Sequence, residues 1–173
     1  MSKKYLIEPI KQPNWSSCWY TAILMLYRWH NMHTGGLRSQ VSDLDATVFA
    51  PAKQAKSETN LFNRSNVRGF LKENGFTSKE IEMLPEAFAA ELDAGHPFGY
   101  VAQVHPIYQH TLVIRGVQKH SRDGLYEIFY VDPNGGHERH LEFFAFALQY
   151  PPAWGSKAFI VIPSFAADEA ETK

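Results

Sequence analysis

Cysteine is almost missing from this sequence: 173 residues contain one, Cys18. A single thiol excludes an intramolecular disulfide and any zinc site built from several cysteines. An excess of charge of either sign is missing too. Lys and Arg number 17 against 18 Asp and Glu, so the net charge of −1 offers no basic face to nucleic acid or to an anionic membrane, and Lys3-Lys4 is too short to supply one. No apolar run approaches the roughly 18 residues of a membrane span. Met1 to Asn14 is interrupted by Lys3, Lys4, Glu8, Pro9, Lys11 and Gln12, unlike a secretory signal. These absences predict a protein that is cytoplasmic when made, with any export going through a signal-peptide-independent system. Internal repeats and low-complexity tracts are absent as well.

What is present suits a packed globule. The hydrophobic fraction is 45% and the aromatic fraction 14%, and a chain of this length can bury roughly two-thirds of its unfolded surface without a disulfide or metal. One domain over residues 1–165 is expected, followed by a charged, mobile tail over 166–173.

Helical signals dominate the first half. Trp19, Ala22, Ile23, Leu26 and Trp29 recur at helical spacing, predicting a largely buried helix from Cys18 to about Met32, stopped by Thr34-Gly35-Gly36. A short helix near Val41 to Phe49, a helix capped by Ser65 through Val67, Phe70 and Leu71, and another after Pro85 with Phe88 and Leu92 are also expected. Strand signals follow at Phe98–Val104, Thr111–Val117, Tyr126–Val131 and Ala158–Ile162, separated by turn residues, with a helix over Leu141–Leu148. Helices first and strands second indicate α+β: a helical lobe whose central helix packs on an antiparallel sheet.

Chemistry enters at Gln12-Pro13-Asn14-Trp15-Ser16-Ser17-Cys18-Trp19. A helix starting at Cys18 presents free backbone N–H groups and a partial positive charge, which favour the thiolate. The same donors can hold the oxyanion formed when a thiolate attacks a carbonyl, and Gln12 lies close enough upstream to add its side-chain amide. The plain alternative is a buried, inert thiol, since a free cysteine beside an aromatic-rich helix is usually core. A base must come from elsewhere in the fold. His110 opens the apolar run Thr111-Leu112-Val113-Ile114, and Asp132 ends the next run at the turn Asp132-Pro133-Asn134-Gly135-Gly136. Neighbouring antiparallel strands bring such a carboxylate towards the imidazole, although Asp-Pro and Asn-Gly are also ordinary turn dipeptides. Asn134 is an alternative third member.

Gln12, Cys18-Trp19, His110 and Asp132, in this order, resemble the papain-like cysteine peptidases. The stretches Gly95-His96-Pro97, His110 to Gly116 and Val131 to Gly136 look most like the compact bacterial branch, which includes bacteriocin-leader peptidases and effector proteases of plant pathogens. The resemblance implies Cys18 as nucleophile, His110 as base, Asp132 as orienting group and Gln12 as oxyanion donor, with no cofactor and no metal. It implies hydrolysis of a peptide or amide bond through a thioester. Acyl transfer, deamidation, peptidoglycan amidase activity or a silent binding module are alternatives on the same fold. Ser16 and Ser17 stand where papain has a cysteine and a glycine, so that family's disulfide there is missing, in keeping with a reducing compartment. Asp132 stands where papain has asparagine.

Trp15 and Tyr108 are expected to line the substrate cleft, and Trp19 to lie in the core. A protein or peptide substrate is expected, with no nucleic acid and no membrane. Because only Met1 to Lys11 precede Gln12, restraint by an inhibitory or activating protein partner is expected in place of a pro-segment. The pairs His30/His33 and His137/His140 offer a rival zinc or copper reading, weakened by their polar surroundings and by leaving Gln12 and Cys18 without a role.

Overall fold

The computed structural model describes residues 4–12, 18–34, 68–69, 71–72, 75–106 and 108–163. The expected helix over Val41–Phe49, most of the one capped by Ser65, the tail and Trp15 lie outside them. Among the described residues the architecture is α+β, with three helices and six strands. Helix α1 (Cys18–Thr34) is followed by β1 (Phe76–Glu82), α2 (Pro85–Asp93), β2 (Phe98–His105) and β3 (Tyr108–Lys119). Then come β4 (Tyr126–Asp132), β5 (His137–Glu142), α3 (Phe143–Gln149) and β6 (Lys157–Pro163). The strands form one sheet in the order β1-β6-β2-β3-β4-β5, every pair antiparallel.

The central strands are apolar because both faces of the sheet are covered. On one face Val101, Val113, Val131, Phe159 and Val161 pack against α1 through Trp19, Ile23, Met25 and Leu26. On the other, Tyr100, Leu112, Ile114, Ile128, Tyr130 and Ile160 pack against Phe88 and Leu92 of α2 and Phe143 and Phe146 of α3. Alternate residues of each strand therefore serve opposite cores, and the runs read as continuously hydrophobic. The edges differ. Thr77-Ser78-Lys79-Glu80 of β1 and His137-Glu138-Arg139-His140 of β5 are largely exposed. Such polar edges discourage pairing with other chains, and they carry no apolar alternation to announce a strand.

Two boundaries move for local reasons. Leu141 and Glu142 belong to β5, and α3 begins only at Phe143, because the Glu142 carboxylate caps it by accepting from the N–H groups of Phe144 (3.0 Å) and Ala145 (3.2 Å). Strand β3 begins at Tyr108, ahead of the apolar run, because ladder pairing with β2 continues through Gln103 and Gln109.

The segment before Gln12 is strapped across the sheet. Strand β2 begins with Phe98 opposite Ile114, and past that end of it Lys4 pairs with Gly116 while the Tyr5 N–H donates to Arg115 O at 2.7 Å. Buried Arg115 donates from Nη1 to Tyr5 O at 3.1 Å and from Nη2 to Glu138 at 2.6 Å. The Tyr5 hydroxyl donates to Leu92 O at 2.7 Å, its ring meets Trp29 edge-on, and Ile7 enters the α1 core. No described helix is long and apolar enough to cross a membrane.

Candidate active site

Cys18 is the first residue of α1 and 6% exposed. The helix is held against β2, β3 and β6, which directs its N-terminus at residues 109–111 of β3. Gln109 O lies 4.0 Å from Sγ, the outer limit of a sulfur contact. Burial pushes the thiol pKa up, but the hydrogen bond and positive charge of His110, with backbone hydrogen bonds from Thr111 and Trp19, outweigh it and hold the thiol below its ordinary value. Trp19 itself is buried in the α1 core.

His110 lies opposite Ala102 of β2. Its Nε2 is 2.7 Å from Asp132 Oδ1, so Nδ1 is the nitrogen left for Cys18. Burial alone would lower the imidazole pKa, but the hydrogen bonds to Asp132 and Cys18 and the charges of both raise it to about 9. The two shifts run in complementary directions, a thiol made more acidic and an imidazole made more basic. Both directions favour a thiolate–imidazolium pair.

Asp132 ends β4 and is 6% exposed. Val113 faces Val131, and continuing that register sets Asp132 opposite Leu112, diagonal to His110 on the same face. The same register would carry Asn134 directly opposite His110, but the chain turns at Pro133. Asn134 instead donates its backbone N–H to Asp132 Oδ1 at 2.8 Å. The carboxylate partner of the imidazole is therefore Asp132, with Asn134 steadying it from behind.

Gln12 is buried, and its N–H donates to Pro133 O at 2.9 Å. Its Oε1 has no hydrogen-bond partner among the described residues. The turn that follows Asp132 thus touches both ends of the constellation. Tyr108 is 44% exposed at the tip of the β2–β3 hairpin, stacked on His105 with centroids 4.8 Å apart, two residues along the strand from His110. This hairpin carries polar links that the sequence did not announce: Gln109 Nε2 donates to Gln103 Oε1, and Gln103 Nε2 to Tyr108 O and His105 O.

Of the histidine pairs, the His33 side chain lies outside those described. His137 and His140 lie on the exposed β5 edge, where His140 pairs with Glu127 and stacks on Phe129. Among the described residues no group of three His, Cys, Asp or Glu side chains could hold a metal ion.

A buried helix-terminal thiol, a histidine on an adjacent strand, a carboxylate behind it and an upstream glutamine are chemically equipped for acyl transfer through a thioester. No curated protein matches the chain. A family model described as papain-like cysteine protease AvrRpt2 matches residues 4–150, a span that contains Gln12, Cys18, His110 and Asp132. With that match covering most of the sequence, the chain belongs to the AvrRpt2 family of papain-like cysteine proteases.

Proposed function

We propose that the protein cleaves a peptide bond through a Cys18 acyl-enzyme, as an effector-type protease acting on a protein substrate. The observation that carries this reading is the hydrogen-bonded chain Cys18–His110–Asp132, with the thiol pKa lowered and the imidazole pKa raised to about 9. The Cys18 thiolate attacks the substrate carbonyl, and the electron pair moves onto oxygen. The Cys18 backbone N–H and the Gln12 amide stabilise that oxyanion. As the tetrahedral adduct collapses, His110 gives its proton to the leaving nitrogen, the C–N bond breaks and a thioester remains. His110, now neutral, takes a proton from water as the water attacks the thioester. The second collapse releases the acid, and the thiolate and imidazolium are restored. Asp132 holds the tautomer throughout and stabilises the imidazolium. Exposed Tyr108, beside the site on its strand, lines the cleft.

The same triad can deamidate glutamine or transfer an acyl group to an amine, so the test must separate outcomes. A complex peptide mixture is incubated with the wild-type protein or with Cys18→Ala, and products are read by mass spectrometry. New termini formed only by the wild type support peptidase activity. Cys18-dependent glutamine-to-glutamate conversion without new termini would replace it with deamidation, and no Cys18-dependent product would contradict the reading.

A further inference from the structure

The turn after Asp132 contains two successive glycines, and the second does more than close the turn. Gly136 has φ +66 and donates its N–H to Asp132 O at 3.1 Å. A Cβ built on Gly136 would lie 2.7 Å from Lys11 N, 2.9 Å from Lys11 Cα and 3.0 Å from Lys11 Cβ. The first two are backbone atoms one residue before Gln12, so no side-chain rotation relieves the overlap. The neighbouring hydrogen bond from Gln12 N to Pro133 O depends on the same close approach. Because the Gln12 amide oxygen has no partner among the described residues, the backbone contacts are what locate this side chain.

We propose that Gly136 is a positioning residue for Gln12: its bare Cα lets the Lys11–Gln12 backbone dock on the Asp132 turn, which sets the oxyanion donor relative to Cys18. The proposal rests on Gln12 being that donor. One short turn then holds two parts of the machinery, Asp132 through the Asn134 N–H and Gln12 through Pro133 O and the space at Gly136. A β-carbon at 136 displaces Lys11 and Gln12 while leaving the His110–Asp132 contact at 2.7 Å in place.

The test is a double-mutant cycle on hydrolysis of p-nitrophenyl acetate, an activated ester whose acyl transfer passes through an oxyanion. Gly136→Ala and Gly136→Asn are each combined with Gln12→Ala. Asn tolerates a positive φ yet carries a Cβ, so it keeps the overlap with little backbone strain, and unfolding midpoints report whether each variant is folded. The expected result is a fall in kcat of about 100-fold for either substitution, the scale of an ångström-sized misplacement. The pH profile of Cys18 alkylation stays unchanged, and the Gly136 effect shrinks to less than about 2-fold when Gln12 is already Ala. A full Gly136 effect in the Gln12→Ala background, or a shifted alkylation profile, would overturn the proposal by showing that the turn acts through the triad instead. Wild-type kcat in folded Gly136→Asn would overturn it as well. A Gln12→Ala protein with undiminished kcat would remove Gln12 as donor, and the positioning role with it, while leaving the alkylation profile to speak for Cys18 and His110.

Discussion

A thiol only 6% exposed behaves as a small hydrophobe unless something nearby favours its anion. For Cys18 that influence is His110, whose own positive charge is sustained by Asp132. The sign of the pH dependence follows from the two shifts. The active pair exists above the pKa of Cys18, which lies below the ordinary thiol value, and below the pKa of His110, about 9. Activity should therefore fall in acid as the thiolate is protonated, and in alkali as His110 loses its proton near pH 9. Asp132→Asn keeps a hydrogen-bond acceptor but removes the charge, so it should move the alkaline limb to lower pH in a rate profile. An alkaline limb unmoved by that change would take Asp132 out of its role. Cys18 and Gln12 were legible in the sequence because their motif is local, a glutamine upstream of a Cys-Trp pair at a helix start. Gly136 was visible only as a turn residue, because its contact with Lys11 spans most of the chain.

Among the elements, legibility followed burial. Strands β2, β3, β4 and β6 are covered on both faces, so their apolar runs stood out, whereas β1 and β5 are polar edges and were not anticipated. The boundary between β5 and α3 shows how one side chain can switch backbone type: Glu142 closes the strand by pairing with Glu127 and opens the helix with its carboxylate. Removing that carboxylate with Glu142→Ala should lower stability by about 1 kcal/mol, the usual worth of an N-cap. Chemical denaturation would measure it, and the Cys18 alkylation rate should not change, since Glu142 pairs with Glu127 at the end of β4 away from Asp132. At the start of helix α1 the Trp19 backbone N–H reaches the sulfur, and packing against β2, β3 and β6 fixes where it points.

At the scale of the whole molecule, α+β could be read from the order of helical and strand signals. The approach of Asp132 to His110 could be expected from consecutive antiparallel strands, whereas the set of three with Cys18 drew on the resemblance, because sequence order does not state where a helix packs on the sheet. The strap over residues 4–12 was not foreseen at all. It carries few signals of its own, and it is held by backbone pairing and by Arg115, a cation placed inside an otherwise apolar strand. That placement was the clue available. Arg115→Ala should cost about 1.5–3 kcal/mol through the lost bonds to Tyr5 O and Glu138, read as a lower urea midpoint with an unchanged slope. Glu138 is 43% exposed and can be rehydrated, so little of the loss should come from its charge. Unchanged stability would mean that backbone pairing, Tyr5 and Ile7 hold the strap without the Arg115 side chain.

The proposed catalysis depends on one ion pair, which can be tested without a substrate. The rate of Cys18 alkylation by iodoacetamide is measured against pH in the native protein and in His110→Ala. Rapid labelling well below the free-thiol pKa of about 8.5 is expected, lost in the variant, where burial is opposed only by the backbone hydrogen bonds of Thr111 and Trp19. Labelling that follows an ordinary thiol in both proteins, or none until the chain unfolds, would contradict it and leave Cys18 as a core residue.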